Sequence, residues 1–269
     1  GEGIANIDSI LPEVEAVMVA RGDLGVEIPM EKVPKVQKAI VRQANEAGKV
    51  SVIATQILRS MVVSPTPTRA EVSDITNAVL DGCDAILLSD ETAMGNYPVE
   101  ALRVAAATIN ESEEIYPFYK ELGAHDRTQA ITSAAARLVR SIGSKPVVIT
   151  STGKAVLELS RYRPDSDILA FSHDPAVLQK LSLGWGIQPA GVIPPQQDMA
   201  ALVGSVIQTA LDAGTISNTD VVTIVHGFLP GVSGTTNAVQ VLDMEEYLAH
   251  SDDHRKTKTV GSKAVEAKK

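Results

Sequence analysis

Three short polar segments each follow directly on an apolar run that predicts a β-strand. They are Arg21-Gly22-Asp23, Thr55-Gln56 and Ser89-Asp90-Glu91. An Asp beside glycines offers a carboxylate to a hard cation such as Mg²⁺, and the neighbouring amides can hold an anion. A Thr hydroxyl and a Gln amide can orient a small carboxylate without adding charge. The alternatives are a turn-capping Asp, a satisfied strand-end Thr and an acidic helix start.

The third segment is dense in hydrogen-bond acceptors for the end of a strand. Glu91 is a candidate for a metal shell or a proton relay, and Ser89 for holding a water molecule. Parallel strands carry their sites at their carboxyl ends. Because all three segments follow consecutive strands, we expect them to meet at one edge of a sheet.

A second polar group lies later in the chain, at Thr150-Ser151-Thr152-Gly153-Lys154. Three hydroxyls, a Gly and a Lys between a strand and a helix favour phosphate binding, with a simple βα turn as the equal alternative. The loop 227–237, rich in Gly and hydroxyls, follows another strand, so an anion site between the two loops is predicted. His226 ends that strand, where satisfied burial is favoured over a ligand contact. Cys83 is read as a small buried apolar residue.

Short apolar runs alternate with helical patterns along most of the chain. The predicted strands are 16–20, 50–54, 85–88, 146–150, 167–171, 186–192, 221–226 and 237–242. The predicted helices are 31–47, 68–80, 99–116, 127–142, 154–162, 175–183 and 199–213. This alternation predicts an α/β fold with mainly parallel sheets covered by helices. The runs 85–88 and 221–225 are continuous, as in strands buried on both faces.

Composition and charge exclude some classes of function. The 269 residues carry a net charge of -9 and only 3% aromatic residues, which argues against nucleic-acid binding. No apolar run reaches about 18 residues, so no transmembrane helix and no membrane partner are expected. A lone cysteine fits a reducing, cytoplasmic location. The alternation breaks near 116–127, so we predict domains at 1–117 and 118–244, with a disordered tail at 245–269.

The ordered set of motifs closely resembles the C-terminal half of the bacterial pyruvate kinase family, from Gly1 to about Met244. The motifs that carry the resemblance are 18–29 (MVARGDLGVEIP), 54–56 (ATQ) with Met61, 67–71 (PTRAE), 77–82 (NAVLDG), 91–95 (ETAMG) with 97–98 (YP), and 231–237 (GVSGTTN). The resemblance implies an incomplete (β/α)8 TIM-barrel segment followed by a C-terminal α/β domain.

The resemblance also implies an activity. The family transfers a phosphoryl group from phosphoenolpyruvate to ADP, giving pyruvate and ATP, with Mg²⁺ (or Mn²⁺) and K⁺. Asp23 would be a divalent-metal ligand, and the amides around Gly22 and Asp23, with Thr55, would hold the substrate carboxylate. Thr55 and Ser89 would lie near the proton relay to the enolate of pyruvate. Arg69 would face a neighbouring subunit of a homotetramer.

The resemblance also implies regulation at the second polar group. An effector, a sugar phosphate or a nucleotide, would bind through its phosphate to Thr150, Ser151, Thr152, Gly153 and Lys154, together with Gly234 and Thr235. Ala155 stands where some relatives have a hydroxyl, and Asp90 stands where many have a small residue.

The chain supplies only three of the barrel's eight strands. The family's phosphate-binding arginine, K⁺ ligands, second metal carboxylate and transition-state lysine all precede the part of the family that Gly1 matches. We therefore expect a fragment that is inactive alone. The alternatives are a stand-alone phosphate-binding sensor module and a different metal-dependent barrel lyase acting on oxo-acids, against which the 67–71 motif and the C-terminal domain count.

Overall fold

The computed structural model describes residues 1–194, 196, 198–227 and 234–250. It divides into two compact units. Unit 1 comprises Gly1–Leu122 with Leu183–Trp185, and unit 2 comprises Gly123–Ser182 with the chain from Gly186 onward. The domain boundary predicted between 117 and 118 stays a prediction.

Unit 1 contains a small parallel sheet with helices between its strands. Its strands are β1 (Ala16–Ala20), β2 (Val50–Ala54) and β3 (Ala85–Leu87), in the order β1-β2-β3. Its helices are α1 (Glu2–Ala5), α2 (Ile7–Ile10), α3 (Arg21–Glu27), α4 (Val33–Glu46), α5 (Arg69–Asp81), α6 (Asp90–Ala93) and α7 (Pro98–Glu113). Short 3-10 turns lie at Leu11–Glu13, Met30–Lys32 and Arg59–Val62.

The longer helices of unit 1 begin and end where the sequence supplies capping groups. Thr68 and Glu71 form a reciprocal capping box at the start of α5, and Gly82 ends that helix in a left-handed conformation. The buried faces of the helices and of β2 share one apolar core. Its fully buried members include Ile53, Leu58 and Ile75, and Cys83 lies in the same cluster as predicted.

The faces of β3 differ from the prediction. Leu87 is 39% exposed, so the prediction that 85–88 is buried on both faces is wrong within the described chain. The physical reason is its position: β3 is an edge strand of a three-stranded sheet. Met18 on β1, the other edge, is 58% exposed. Apolar side chains on both edge strands are typical of parallel strands that, in a larger sheet, are flanked by further strands and covered by helices.

Unit 2 contains a five-stranded sheet in the order β6-β5-β4-β7-β8. The strands are β4 (Lys145–Ile149), β5 (Ile168–Ser172), β6 (Ile187–Val192), β7 (Val221–Gly227) and β8 (Thr236–Asp243), and only β8 runs antiparallel to its neighbour. The helices are α8 (Arg127–Ile142), α9 (Lys154–Ser160), α10 (Pro175–Leu181) and α11 (Met199–Asp212).

The core of unit 2 lies between its sheet and α11. Phe171, Ile224 and Val206 are fully buried there. β7 is buried along 222–226, which confirms the prediction of a strand covered on both faces. Residues 244–250, which include the start of the predicted tail, are helical, and Met244 is anchored in the core. Residues 251–269 lie outside the described part of the chain.

All eight predicted strands are present, with boundaries that differ by at most one residue. The sequence did not predict α3, which begins at the first residue after β1. Within the described residues, no helix is both long enough and apolar enough to span a bilayer.

Candidate functional site

The three polar segments of unit 1 lie at one edge of its sheet. Ala20, Ala54 and Leu87 end their strands and are register partners across the sheet. Neighbouring strands are about 4.8 Å apart. The residues that follow therefore emerge side by side at the carboxyl edge, as the sequence predicted.

Thr55 leaves β2 in an unusual backbone conformation. Its φ is 69°, and that of Gln56 is 55°, which places two non-glycine residues in the left-handed region. A β-branched residue adopts this conformation only when its surroundings hold it there. Strain of this kind is concentrated at functional sites.

Arg21 provides the contacts that hold this turn. Its Nη2 donates to the carbonyl oxygens of Thr55 at 2.8 Å and Gln56 at 3.3 Å. Its Nη1 lies 2.5 Å from Oδ2 of Asp74 on α5, in an ion pair whose Arg side chain is 12% exposed. The guanidinium therefore connects the ends of β1 and β2 to α5.

The contact between Gly22 and Thr55 joins two residues predicted to bind the substrate. The Gly22 amide donates to the Thr55 hydroxyl oxygen at 3.0 Å. An oxygen that accepts this bond keeps its own proton available for donation. Thr55 can therefore donate a hydrogen bond to an anionic oxygen at the sheet edge.

Asp23 lies in the first turn of helix α3. A helix therefore stands where the alternative interpretation of this segment expected a turn. Its side chain is exposed, and in the described chain its carboxylate makes no hydrogen bond or ion pair. The described residues contain no group of three or more His, Cys, Asp or Glu side chains that could surround a metal ion. Mg²⁺ in phosphoryl-transfer sites takes one or two protein carboxylates plus substrate oxygens and water. Asp23 therefore fits one coordination position of such an ion.

Ser89 precedes the short helix α6 and is positioned by Glu91. The Glu91 carboxylate, 1% exposed, accepts from the backbone amides of Ser89 at 2.8 Å and Leu58 at 3.0 Å. Both carboxylate oxygens are thus used inside the protein. Glu91 therefore positions the backbone around Ser89, and its role in a metal shell or a proton relay stays a prediction.

The remaining unit 1 candidates lie on the surface. Arg69, predicted at a subunit interface, is the exposed first residue of α5. Asp90 forms an ion pair with the exposed Arg59.

Unit 2 contains a cavity of about 180 Å³ at the carboxyl ends of its parallel strands. Every predicted phosphate-binding residue except Gly153 lines this cavity. Other residues from the ends of β5, β6 and β7 complete the lining. The lining residues used below are Thr150, Ser151, Thr152, Lys154, Ile193, Met199, Leu202, His226, Gly234 and Thr235.

Gly153 shapes the cavity although it does not line it. The turn before α9 requires glycine there, because its φ is 88° and an added Cβ would lie 3.2 Å from Leu181. The Gly153 amide donates to the hydroxyl oxygen of Thr150 at 2.9 Å. This bond fixes the turn and leaves the Thr150 proton free to donate.

Lys154 is the cation that this turn presents. It pairs with Asp126 at 2.9 Å, and both side chains are exposed. The amide of Gln129 and then Lys154 donate to the Asp126 carboxylate and lower its pKa below the ordinary value. An anion in the cavity would compete with Asp126 for Lys154.

The second predicted loop reaches the same cavity. Nη2 of Arg127 donates to the carbonyl oxygen of Gly234 at 2.8 Å. Gly234 and Thr235 line the cavity. Residues 228–233, part of the predicted phosphate loop, lie outside the described residues. The structure thus brings together the two loops that the sequence paired.

Sequence reasoning missed the supporting residues. It assigned no role to Arg21 or Asp74 and did not identify the positioning role of Glu91. Their partners lie 53 and 33 residues away along the chain, so no local pattern indicates them. The one available signal was an Arg directly after a strand and before the Gly-Asp pair.

Parallel strands with polar residues at their carboxyl edge, followed by a separate α/β unit, define a class of α/β proteins that bind ligands at strand ends. Residues 1–102 match the family described as "Pyruvate kinase, barrel domain", and residues 129–242 match "Pyruvate kinase, alpha/beta domain". The chain belongs to the pyruvate kinase family, and its segment of the barrel is incomplete.

Individual relatives of the chain support the same family assignment. A pyruvate kinase of Staphylococcus aureus strain MRSA252 is 39% identical over 273 residues, covering 98% of this chain and 46% of that protein. The pyruvate kinases of strains USA300 and N315 are 40% identical over the same shares. The chain thus spans about half the length of the curated relatives it matches.

Proposed function

We propose that this chain provides part of the active site of a pyruvate kinase. The reaction transfers the phosphoryl group of phosphoenolpyruvate to ADP. An oxygen of the ADP β-phosphate bonds to phosphorus, the bond to the enol oxygen breaks, and the enolate then takes a proton at carbon to give pyruvate. The contact between the Gly22 amide and the Thr55 hydroxyl carries this proposal, since it joins two predicted substrate-binding groups at the strand edge.

Thr55 has two roles in the proposal. Its hydroxyl donates to the substrate carboxylate, and together with Ser89 it lies near the route by which a proton reaches the enolate. Arg21 supports both roles because it holds Thr55 in its strained conformation. Fixed donors of this kind act on developing charge without reorganising during the reaction.

Asp23 would hold the divalent cation, Mg²⁺ or Mn²⁺, which neutralises charge on the phosphoryl oxygens when bound. Its unpaired carboxylate at the sheet edge supports this role. The K⁺ requirement, a cytoplasmic homotetramer and an interface at Arg69 are carried over from the family as further proposals.

The test uses the natural polypeptide that contains this chain. Pyruvate formation from phosphoenolpyruvate and ADP is followed with a lactate dehydrogenase coupling assay. Thr55→Val should lower kcat by about 10²-fold, because positioned acid–base groups contribute typically 10²–10⁴-fold. Thr76→Val is the matched control, because Thr76 is a half-buried residue of α5 whose hydroxyl donates to the carbonyl of Val72 and accepts from Ser112. Equal activity of the two variants would contradict the role of Thr55. Absence of pyruvate formation by the natural polypeptide would reject the proposal.

We also propose that the unit 2 cavity binds the phosphate of a phosphorylated effector. The observation that favours this second function is the convergence of the Thr150–Lys154 turn with Gly234 and Thr235 around one cavity. The exposed Lys154 amine and the Ser151 and Thr152 hydroxyls supply charge and donors for phosphate oxygens. This site would act whether the chain works within an enzyme or as a sensor module.

Thermal unfolding in inorganic phosphate tests the second function. A ligand that binds only the folded state stabilises it in proportion to the logarithm of its concentration above Kd. Lys154→Met should remove most of the phosphate-dependent rise in Tm. Lys180→Met, an exposed position on α10 outside the cavity lining, should leave it unchanged. A rise that is equal in both variants would place phosphate elsewhere.

A further inference from the structure

Glu91 is a buried carboxylate at the edge where the strands of unit 1 end. Its two oxygens accept hydrogen bonds from two different segments of the chain. Oε2 accepts from the backbone amide of Ser89 at 2.8 Å, and Oε1 accepts from the backbone amide of Leu58 at 3.0 Å. Ser89 follows the end of β3, and Leu58 follows the end of β2. One side chain therefore joins the segments that leave two neighbouring strands.

The environment of Glu91 explains why a carboxylate is needed there. No Lys, Arg or His side chain pairs with Glu91 in the part of the chain that the structure describes. A charge buried without a counter-ion is costly, and hydrogen bonds must compensate that cost. An ionised carboxylate satisfies both amides at once, whereas a Gln side chain would direct an N–H at one of them. The two bonds to backbone therefore account for a Glu at this position.

The backbone of Ser89 is held on both sides, while its hydroxyl is not used. Its amide donates to Glu91, and its carbonyl oxygen accepts from the amides of Thr92 at 3.1 Å and Ala93 at 2.9 Å. The chain returns closely behind α6, where a Cβ on Gly95 would lie 2.5 Å from the carbonyl oxygen of Glu91. Within the described residues the half-buried Ser89 hydroxyl makes no hydrogen bond. A fixed backbone thus presents a hydroxyl that is available to a ligand or to water.

We propose that Glu91 is a positioning residue for proton delivery, which aligns Ser89 with Thr55 across the ends of β3 and β2. Leu58, the second residue that Glu91 holds, lies three positions after Thr55 in the same segment. The inference rests on the proposed pyruvate kinase function and names the group that aligns its proton route.

The step concerned is the last one of the proposed reaction. The electron pair of the enolate double bond forms a C–H bond with a proton from a hydroxyl or a water molecule, and that donor regains a proton from solvent. Proton transfer requires the donor within hydrogen-bond reach. Phosphoryl transfer depends mainly on positioning and on cations around the phosphoryl oxygens. A displacement of Ser89 from Thr55 should therefore slow the proton step more than phosphoryl transfer.

Steady-state kinetics in H₂O and in D₂O test the proposal on the natural polypeptide that contains this chain. Pyruvate formation is followed with lactate dehydrogenase in excess. Glu91→Gln should lower kcat by about 10-fold or more, since a misplacement of about 1 Å can cost about 10²-fold. The ratio kcat/KM for phosphoenolpyruvate should fall less than kcat, because phosphoryl transfer precedes the impaired step. The solvent isotope effect on kcat should rise as proton delivery becomes the slow step.

Glu71→Gln is the matched control for a purely structural effect. The Glu71 carboxylate also accepts from the backbone of the segment after β2, at the amide of Ser60 at 2.7 Å. In the described chain it makes no contact with Ser89. This variant should lose stability and keep the wild-type solvent isotope effect, because a partly unfolded enzyme has fewer active molecules with unchanged chemistry.

A measurement on the unaltered polypeptide keeps the proposal testable if Glu91→Gln does not fold. The amides of Ser89 and Leu58 share one acceptor side chain, so they should open together and show hydrogen-exchange protection within about 10-fold of each other. A wider difference would show that Glu91 does not hold the two segments as one unit.

The outcomes separate the role of Glu91 from the proposed function. An unchanged isotope effect in folded Glu91→Gln rejects the positioning role alone. An equal rise of the isotope effect in Glu71→Gln also rejects it, because loosening of the segment after β2 would then suffice. Absence of pyruvate formation by the unaltered natural polypeptide rejects the proposed function itself.

Discussion

Replacing Arg21 with Met should both destabilise unit 1 and release Thr55. The side chain is 12% exposed and donates to the carbonyl oxygens of Thr55 and Gln56 while pairing with Asp74. Met keeps much of the apolar stem and removes every donor. The change therefore isolates the contribution of the guanidinium.

The magnitude follows from these contacts. Hydrogen bonds from a charged group contribute about 1.5–3 kcal/mol each, and the 3.3 Å bond to Gln56 belongs at the low end. The Asp74 carboxylate is 34% exposed, so its ion pair adds about 0.5 kcal/mol after screening. Relaxation of Thr55 from the left-handed region returns about 1–3 kcal/mol. These contributions leave a net loss of about 0.5–4 kcal/mol, centred between about 2 and 3 kcal/mol.

Two measurements on the 269-residue chain check this expectation. Urea unfolding reports the free energy of unfolding, and hydrogen exchange reports the protection of the Gly22 amide. The Gly22 amide should exchange faster in Arg21→Met, because the Thr55 hydroxyl that accepts its hydrogen bond moves away. Arg42→Met is the control, since the Arg42 side chain is 71% exposed and its Nε lies as far as 3.9 Å from Oε1 of Glu46, so that this ion pair is weak. The control should cost less than about 1 kcal/mol.

One result would refute the reasoning about the strained turn. If Arg21→Met lost about 2–3 kcal/mol while Gly22 kept its full protection, Arg21 would stabilise the unit without holding Thr55. A loss no larger than that of Arg42→Met would show that the buried guanidinium contacts contribute little.

The other predictions concern a buried carboxylate and a pH-sensitive ion pair. Glu91→Gln should cost about 1.5–3 kcal/mol in urea unfolding, because an amide can accept from only one of the two backbone N–H groups that Glu91 now satisfies. The exposed Glu111→Gln should be nearly neutral, and equal effects would contradict this. Burial opposes ionisation of Asp220, but donation from Lys145 and Ser217 outweighs it and lowers the pKa below 3.8. A lowered folded pKa stabilises the protein above pH 3.8, and this contribution is lost as pH falls through the folded value. Asp220→Asn should therefore flatten the loss of unfolding free energy between pH 5 and pH 3, and parallel curves would disprove it.

Local sequence patterns were sufficient for the strands and for the longer helices. Strand boundaries were correct to one residue because apolar runs and their polar ends coincide with burial along the chain. The capping residues Thr68 and Gly82 marked the limits of α5 because their side chains and conformations act within a few residues. The helix α3 was not predicted, since glycines at Gly22 and Gly25 favour a turn on propensity alone.

The sequence by itself determined which polar segments end the strands, and a parallel sheet then brings their backbones to one edge. The tertiary structure decided what each side chain does there. Thr55 is held in a left-handed conformation by Arg21, Glu91 is committed to backbone amides, and Nε2 of His226 is left without a partner within the described residues. These outcomes depend on groups brought together from distant parts of the chain. Hydrogen bonds act only at close range and in specific directions, so their pairing is set by the folded geometry and not by spacing along the sequence.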